Sequence, residues 1–214
     1  MALQWIQENI KAFGGDPNQV TISGHSAGSA FTHLHMLSPR SRGLFSKAIS
    51  LSGTAANYWA GRNTDHARYA TEMGEIFDCP TDNSKEMINC LKKIDPVELT
   101  RAQWKLHELF LKSPAKLPLS TFSPRMDPEA EVQMLPENPL EMLRNGDFQH
   151  LPWMVGLTSQ EGAWYSSTIY GQNSMQYLKE FDEKSELAAS LIVSGLLDSK
   201  EKYQEALNFY TKGK

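Results

Sequence analysis

The chain has 214 residues, enough for one large domain or two small ones with a substantial buried core. With 40% apolar and 21% charged residues it has the composition of an ordinary globular protein and not of a disordered one. A net charge of −4 excludes the basic footprint of a nucleic-acid binder, and no apolar run reaches bilayer length.

The first ten residues lack the basic start and apolar stretch of a signal peptide. They run directly into a helical pattern over 2–13, as though the chain began inside a domain, with Leu3, Ile6, Ile10 and Phe13 on one face. Gly14-Gly15-Asp16-Pro17 stops that helix, and the β-branched run Val20-Thr21-Ile22 reads as a buried strand. A helix over 30–37 and a second strand over 47–52 follow. This alternation is the rhythm of a parallel α/β sheet. Residues 62–112 read as largely helical, whereas 113–139 is a loop-rich stretch holding six of the eleven prolines. A helical turn over 140–145, a third strand over 152–157 and a mostly helical stretch over 174–210 complete the pattern. No repeat or low-complexity segment interrupts it.

Between the first strand and the next helix stands Gly24-His25-Ser26-Ala27-Gly28. A Gly-x-Ser-x-Gly run carries chemistry only in a strand-to-helix turn, which forces the serine into strained backbone geometry and lifts its Oγ above the sheet. Small residues on either side let the strand and helix pass closely. The next amide then points at the oxygen of the reacting carbonyl, which makes Ala27 an oxyanion donor by position. Serine also needs an imidazole base and an acid behind it, in the chain order serine, acid, histidine. Glu161 follows the third strand, where the acid belongs, though a glutamate in a turn also reads as a solvated charge. Cys79 and Cys90 read either as a local disulfide or as two reduced thiols, and no Asn-x-Ser/Thr sequon occurs.

These segments together resemble the type-B carboxylesterase/cholinesterase family. The resemblance runs through Ala2-Leu3-Gln4-Trp5-Ile6, Phe13-Gly14-Gly15-Asp16-Pro17, and Val20 to Gly28. It continues in Arg42-Gly43-Leu44-Phe45, Ala48-Ile49-Ser50-Leu51-Ser52-Gly53 and Glu161-Gly162. It implies an incomplete α/β-hydrolase fold over 1–214: an elbow region at 1–60, a helical and loop insertion at 61–150, and an acid-loop strand with terminal helices at 151–214. It implies a carboxylic ester hydrolase with an acyl-serine intermediate, a small-molecule ester substrate, and no cofactor or metal. Ser26 is then the nucleophile, Ala27 an oxyanion donor and Glu161 the acid. Ser52 becomes a supporting serine near them, as against a mere strand-end hydroxyl. Trp59 reads equally as an acyl-pocket or a core residue. The family carries a small disulfide loop where Cys79 and Cys90 fall, which favours the bridge and an oxidising location, secreted or in the ER lumen.

His25 stands where cholinesterases have an acidic residue suited to a choline cation, so the resemblance marks it as a substrate-binding position that argues against acetylcholine. The wording around 33–39 resembles the insect carboxylesterases. All six histidines precede Glu161, so the base is missing from the required place, as is the glycine-rich oxyanion segment expected before the elbow. Losing the base costs on the order of 10⁶ in kcat. The 214-residue chain alone is therefore expected to be inactive, with an unpaired sheet edge. The competing reading is a non-catalytic binding, adhesion or decoy protein, as in neuroligin-like relatives. Those replace the serine, whereas Ser26, Ala27 and Glu161 stand here.

Overall fold

The structure, a computed structural model, describes residues 1–57, 59–60, 66–111 and 122–163, with 201, 202, 205, 208 and 209. Two compact units emerge, Met1–Arg62 with Pro124–Ser166, and Asn63–Ser123 with Ser167–Lys214.

In the first unit, α1 (Ala2–Asn9) runs into a tighter turn at Ile10–Phe13. It ends at Gly14, whose φ of 82° lets its amide reach Ile10 O and Lys11 O. The side chain of Gln7 ties the helix down, donating to Pro17 O at 2.8 Å and Leu44 O at 2.9 Å. Strand β1 (Thr21–His25) then leads through Ser26 into α2 (Ala27–Leu37), and β2 (Lys47–Leu51) follows. After the loop-rich segment, α6 (Pro139–Asn145) is capped by Asn138, begins with Pro139 at its first position and ends at Gly146, φ 77°. Strand β3 (Trp153–Gly156) completes a parallel sheet of order β1-β2-β3. One register row runs His25, Leu51, Gly156.

Helix α2 packs on β1 and β2, and seven of its eleven residues are buried. Two apolar clusters flank it. Leu34, Leu37, Ala55, Leu135 and Met142 form one, and Met36, Phe45 and Ala48 form the other, with Leu3, Val20 and Ile22 against them. The sequence-based expectation of a buried first strand is not met. Thr21, Ser23 and His25 of β1 are exposed and alternate with Ile22 and Gly24, of which Gly24 lies against α2; among the described residues β1 pairs only with β2. At the opposite edge Met154, Val155 and Leu157 also face solvent.

The second unit holds three helices, α3 (His66–Ile76), α4 (Ser84–Leu91) and α5 (Pro96–Leu111). Two starts follow from side-chain caps. Asn83 Oδ1 accepts from the amides of Lys85 and Glu86, and Asp95 Oδ1 from those of Val97 and Glu98, with Pro96 at the first helical position. Met73, Met87, Leu91, Ala102 and Leu106 pack as a core with Cys79. Cys79 and Cys90 are disulfide-bonded, Cα to Cα 5.8 Å, across 11 positions of sequence. In the chain-entropy model closing so short a loop is worth about 3 kcal/mol. The helical stretch expected over 174–210 lies outside the described residues except at the few positions named above.

Candidate active site

Each strand of the sheet delivers one part of the site at its carboxyl end. From β1 the chain turns at Ser26 with φ 55° and ψ −119°, a backbone region that costs a non-glycine residue about 1–3 kcal/mol. The turn is held from both sides. The Ser26 amide donates to Leu51 O at 2.9 Å, and Ser26 O accepts from Ala30 N–H at 3.1 Å. Ser26 and Ala27 are exposed. The Ala27 amide, in the first turn of α2, is among those a helix leaves without an internal partner.

The two elbow glycines differ. A Cβ on Gly24 would lie 2.0 Å from Gly28 O and 2.6 Å from Ser29 N, so the crossing of β1 and α2 demands glycine there. Gly28 meets no heavy atom within 4 Å, which corrects the expectation that both positions must be small for the strand and helix to pass. Its place in that requirement is taken by Gly53, where a Cβ would come 2.5 Å from Ser26 O.

From β2 the chain turns at Ser52, φ 59°, whose amide donates to Gly156 O at 2.8 Å. From β3 it passes Thr158 to Glu161. The three meet at one oxygen: Glu161 Oε1 accepts from Ser52 Oγ at 2.5 Å, Thr158 N–H at 2.8 Å and Thr158 Oγ at 3.0 Å. These bonds, that from Ser52 foremost, hold the Glu161 carboxyl below its ordinary pKa, with a small further contribution from the charge of His25. Glu161 is thus held in its ionised form.

His25 is exposed at the end of β1, in register with Leu51 and Gly156. Trp59 is half-buried in the turn that Ala60 N–H closes onto Asn57 O. From the sequence, neither Thr158 nor Ser29 shows a role, Gly53 stands only within the family-like run, and His33 reads as an ordinary helix histidine. Only Thr158 had a visible signal, the Thr-x-x-Glu spacing in which a glutamate reaches back to the amide three residues earlier. His33 is 4% exposed, accepts from Ala55 N–H through Nδ1 at 3.1 Å, and stacks on Trp153 with ring centroids 4.4 Å apart. Among the described residues, no three His, Cys, Asp or Glu side chains group as metal ligands.

Burial lowers the His33 pKa from 6.5 to about 4. The unfolded chain therefore takes up a proton that the folded one refuses. The stabilisation is complete above about pH 6.5 and is lost as pH falls through about 4, a difference of about 3 kcal/mol. Urea midpoints measured across that window should drop more steeply for the wild type than for His33→Phe. Parallel curves would show that His33 is not neutral in the fold.

A model of the carboxylesterase family matches residues 1–214. The chain is 36% identical over 193 residues to venom carboxylesterase-6 of Apis mellifera, covering 90% of this chain and 33% of that protein. It is 35% identical over 188 residues to a carboxylic ester hydrolase of Bombus ignitus, covering 86% and 31%. To the acetylcholinesterase of Danio rerio it is 38% identical over 173 residues, covering 80% and 25%. The chain spans between a quarter and a third of the length of these relatives. Three parallel strands with an elbow serine and flanking helices, matched along their whole length, place this chain in the carboxylesterase family, as part of an α/β-hydrolase fold.

Proposed function

We propose that this segment carries the nucleophile and the acid of a serine carboxylic ester hydrolase. The observation that supports it best is the strained Ser26 on the β1–α2 turn, at the same sheet end as a carboxylate oriented by Ser52 and Thr158. Ser26 Oγ attacks the ester carbonyl carbon while a histidine takes its proton, and the Ala27 amide receives the oxyanion. The tetrahedral species expels the alcohol, which leaves with that proton, and an acyl-serine remains. Water repeats the attack and releases the carboxylic acid and free Ser26. Glu161 stabilises the imidazolium at each stage. All six histidines of this sequence precede Glu161, so the base is supplied from outside these 214 residues, and the chain made alone has no esterase turnover.

His25 places an exposed imidazole next to the nucleophile, which supports esters without a quaternary ammonium group. The Cys79–Cys90 bridge supports an oxidising location, secreted or in the ER lumen. No described helix is long and apolar enough to cross a membrane. Treating the enzyme that carries this segment with a fluorophosphonate, then mapping peptides by mass, tests the reading. One phosphonyl group should appear on the Ser26 peptide and vanish in Ser26→Ala, while the isolated chain labels at background. An unlabelled Ser26 in the longer enzyme, or efficient turnover by the isolated chain, would overturn it.

A further inference from the structure

Helix α2 begins at the nucleophile, and one of its faces grips the loop that carries Ser52. Ser29 and His33 stand four residues apart, on the same side of the helix. Ser29 Oγ donates to Gly53 O at 2.5 Å, and Ala55 N–H donates to His33 Nδ1 at 3.1 Å. Gly53 and Ala55 stand one and three positions after Ser52 in sequence. The imidazole of His33 also stacks on Trp153, the first residue of the strand that leads to Thr158 and Glu161. One buried ring therefore touches both segments that assemble the carboxylate site, from the helix that starts at Ser26.

We propose that His33 is a positioning residue: its neutral ring, with a bare Nδ1, latches the 52–57 loop to α2 and so holds Ser52 against Glu161. The inference rests on the reading of Glu161 as the acid, but its physical content concerns the loop alone. A proton on Nδ1 would set donor against donor at Ala55 and release the latch. The titratable groups on the elements packed against α2 are His25 on β1, Lys47 on β2, Arg40 in the turn after α2, and Glu141 and Arg144 on α6. Those last two pair with each other at 2.5 Å. None of these charges perturbs the ring, whose lowered pKa comes from burial.

Two substitutions separate the ring's parts. His33→Phe keeps an aromatic ring for Trp153 and removes the acceptor, whereas His33→Asn keeps an acceptor at the Nδ1 place and removes the ring. The readout is the Glu161 carboxyl titration, followed by ¹³C NMR in the 214-residue chain. His33→Phe should shift it upward toward the ordinary carboxylate range, and His33→Asn should hold it near the wild-type position. Ser52→Ala should shift it upward as well, with no further change when His33→Phe is added. An unchanged titration in folded His33→Phe overturns the proposal. If that variant does not fold, the wild type decides by ¹⁵N shifts of His33. An unprotonated Nδ1 with a protected Ala55 amide supports the latch, and a protonated Nδ1 at neutral pH overturns it. Failure of Ser26 to react with a fluorophosphonate would sink the esterase reading and leave these NMR outcomes intact.

Discussion

Gly24→Ala is expected to prevent the elbow from forming, while Gly28→Ala, only four residues on, leaves the fold intact and slightly more stable. The added methyl at position 24 would sit 2.0 Å from Gly28 O and 2.1 Å from Gly28 C. Those are backbone atoms at the start of α2, so no side-chain rotation relieves the clash. The helix must back away from β1, and its seven buried residues must follow. A cost of about 4 kcal/mol or more places the change among the rare severe ones and approaches the whole stability of a typical domain. At position 28 the methyl meets nothing within 4 Å, and a helical alanine gains about 0.5–1 kcal/mol over glycine. Urea unfolding followed by circular dichroism would show the contrast. A Gly24→Ala midpoint equal to the wild type would mean that β1 and α2 do not cross as closely as described.

The second large effect is on the proposed chemistry. In the enzyme carrying this segment, Ser26→Ala should lower kcat for a p-nitrophenyl ester by about 10⁶, since no acyl-enzyme can form. Glu161→Gln should lower it by about 10⁴, the loss seen when a triad acid is replaced by its amide. The amide keeps the shape of the carboxyl but carries no charge to steady an imidazolium. Ser52 and Thr158 would still have an acceptor, so stability should change little. Because the triad acts as a unit, Ser26→Ala with Glu161→Gln should be no worse than Ser26→Ala alone. A Glu161→Gln enzyme at the wild-type rate would remove Glu161 from the mechanism.

The parts of this site that were legible in the sequence are those fixed by near neighbours along the chain. A β-branched run, a Gly-x-Ser-x-Gly turn and an apolar helix name the elbow, and the structure has β1, Ser26 and α2 in that order. By itself Glu161 reads only as a glutamate in a turn, because what fixes it is Ser52, 109 positions away. His33 looked like any helix histidine. Its bond to Ala55 spans 22 positions and its stacking partner stands on β3, and neither leaves a local mark. The exposure of β1 is hidden from the sequence for a related reason. A β-branched run announces a strand but not what lies beside it.

The register row that joins His25, Leu51 and Gly156 turns the sheet into a ruler for the site. Ser26, Ser52 and Glu161 sit on three loops, yet each loop is clamped within a few residues of that row: Ser26 N–H to Leu51 O, Ser52 N–H to Gly156 O, and Glu161 to Ser52. Sliding β3 by one residue against β2 would displace Glu161 by about 3.3 Å and turn each β3 side chain to the opposite face. Beyond its clamp the loop after Ser52 is held again, to α2, at Gly53 and Ala55. Insertions that spare the spacing of Ser26, Ser52 and Glu161 must come farther along these loops, past the points where the ladder and α2 hold the backbone.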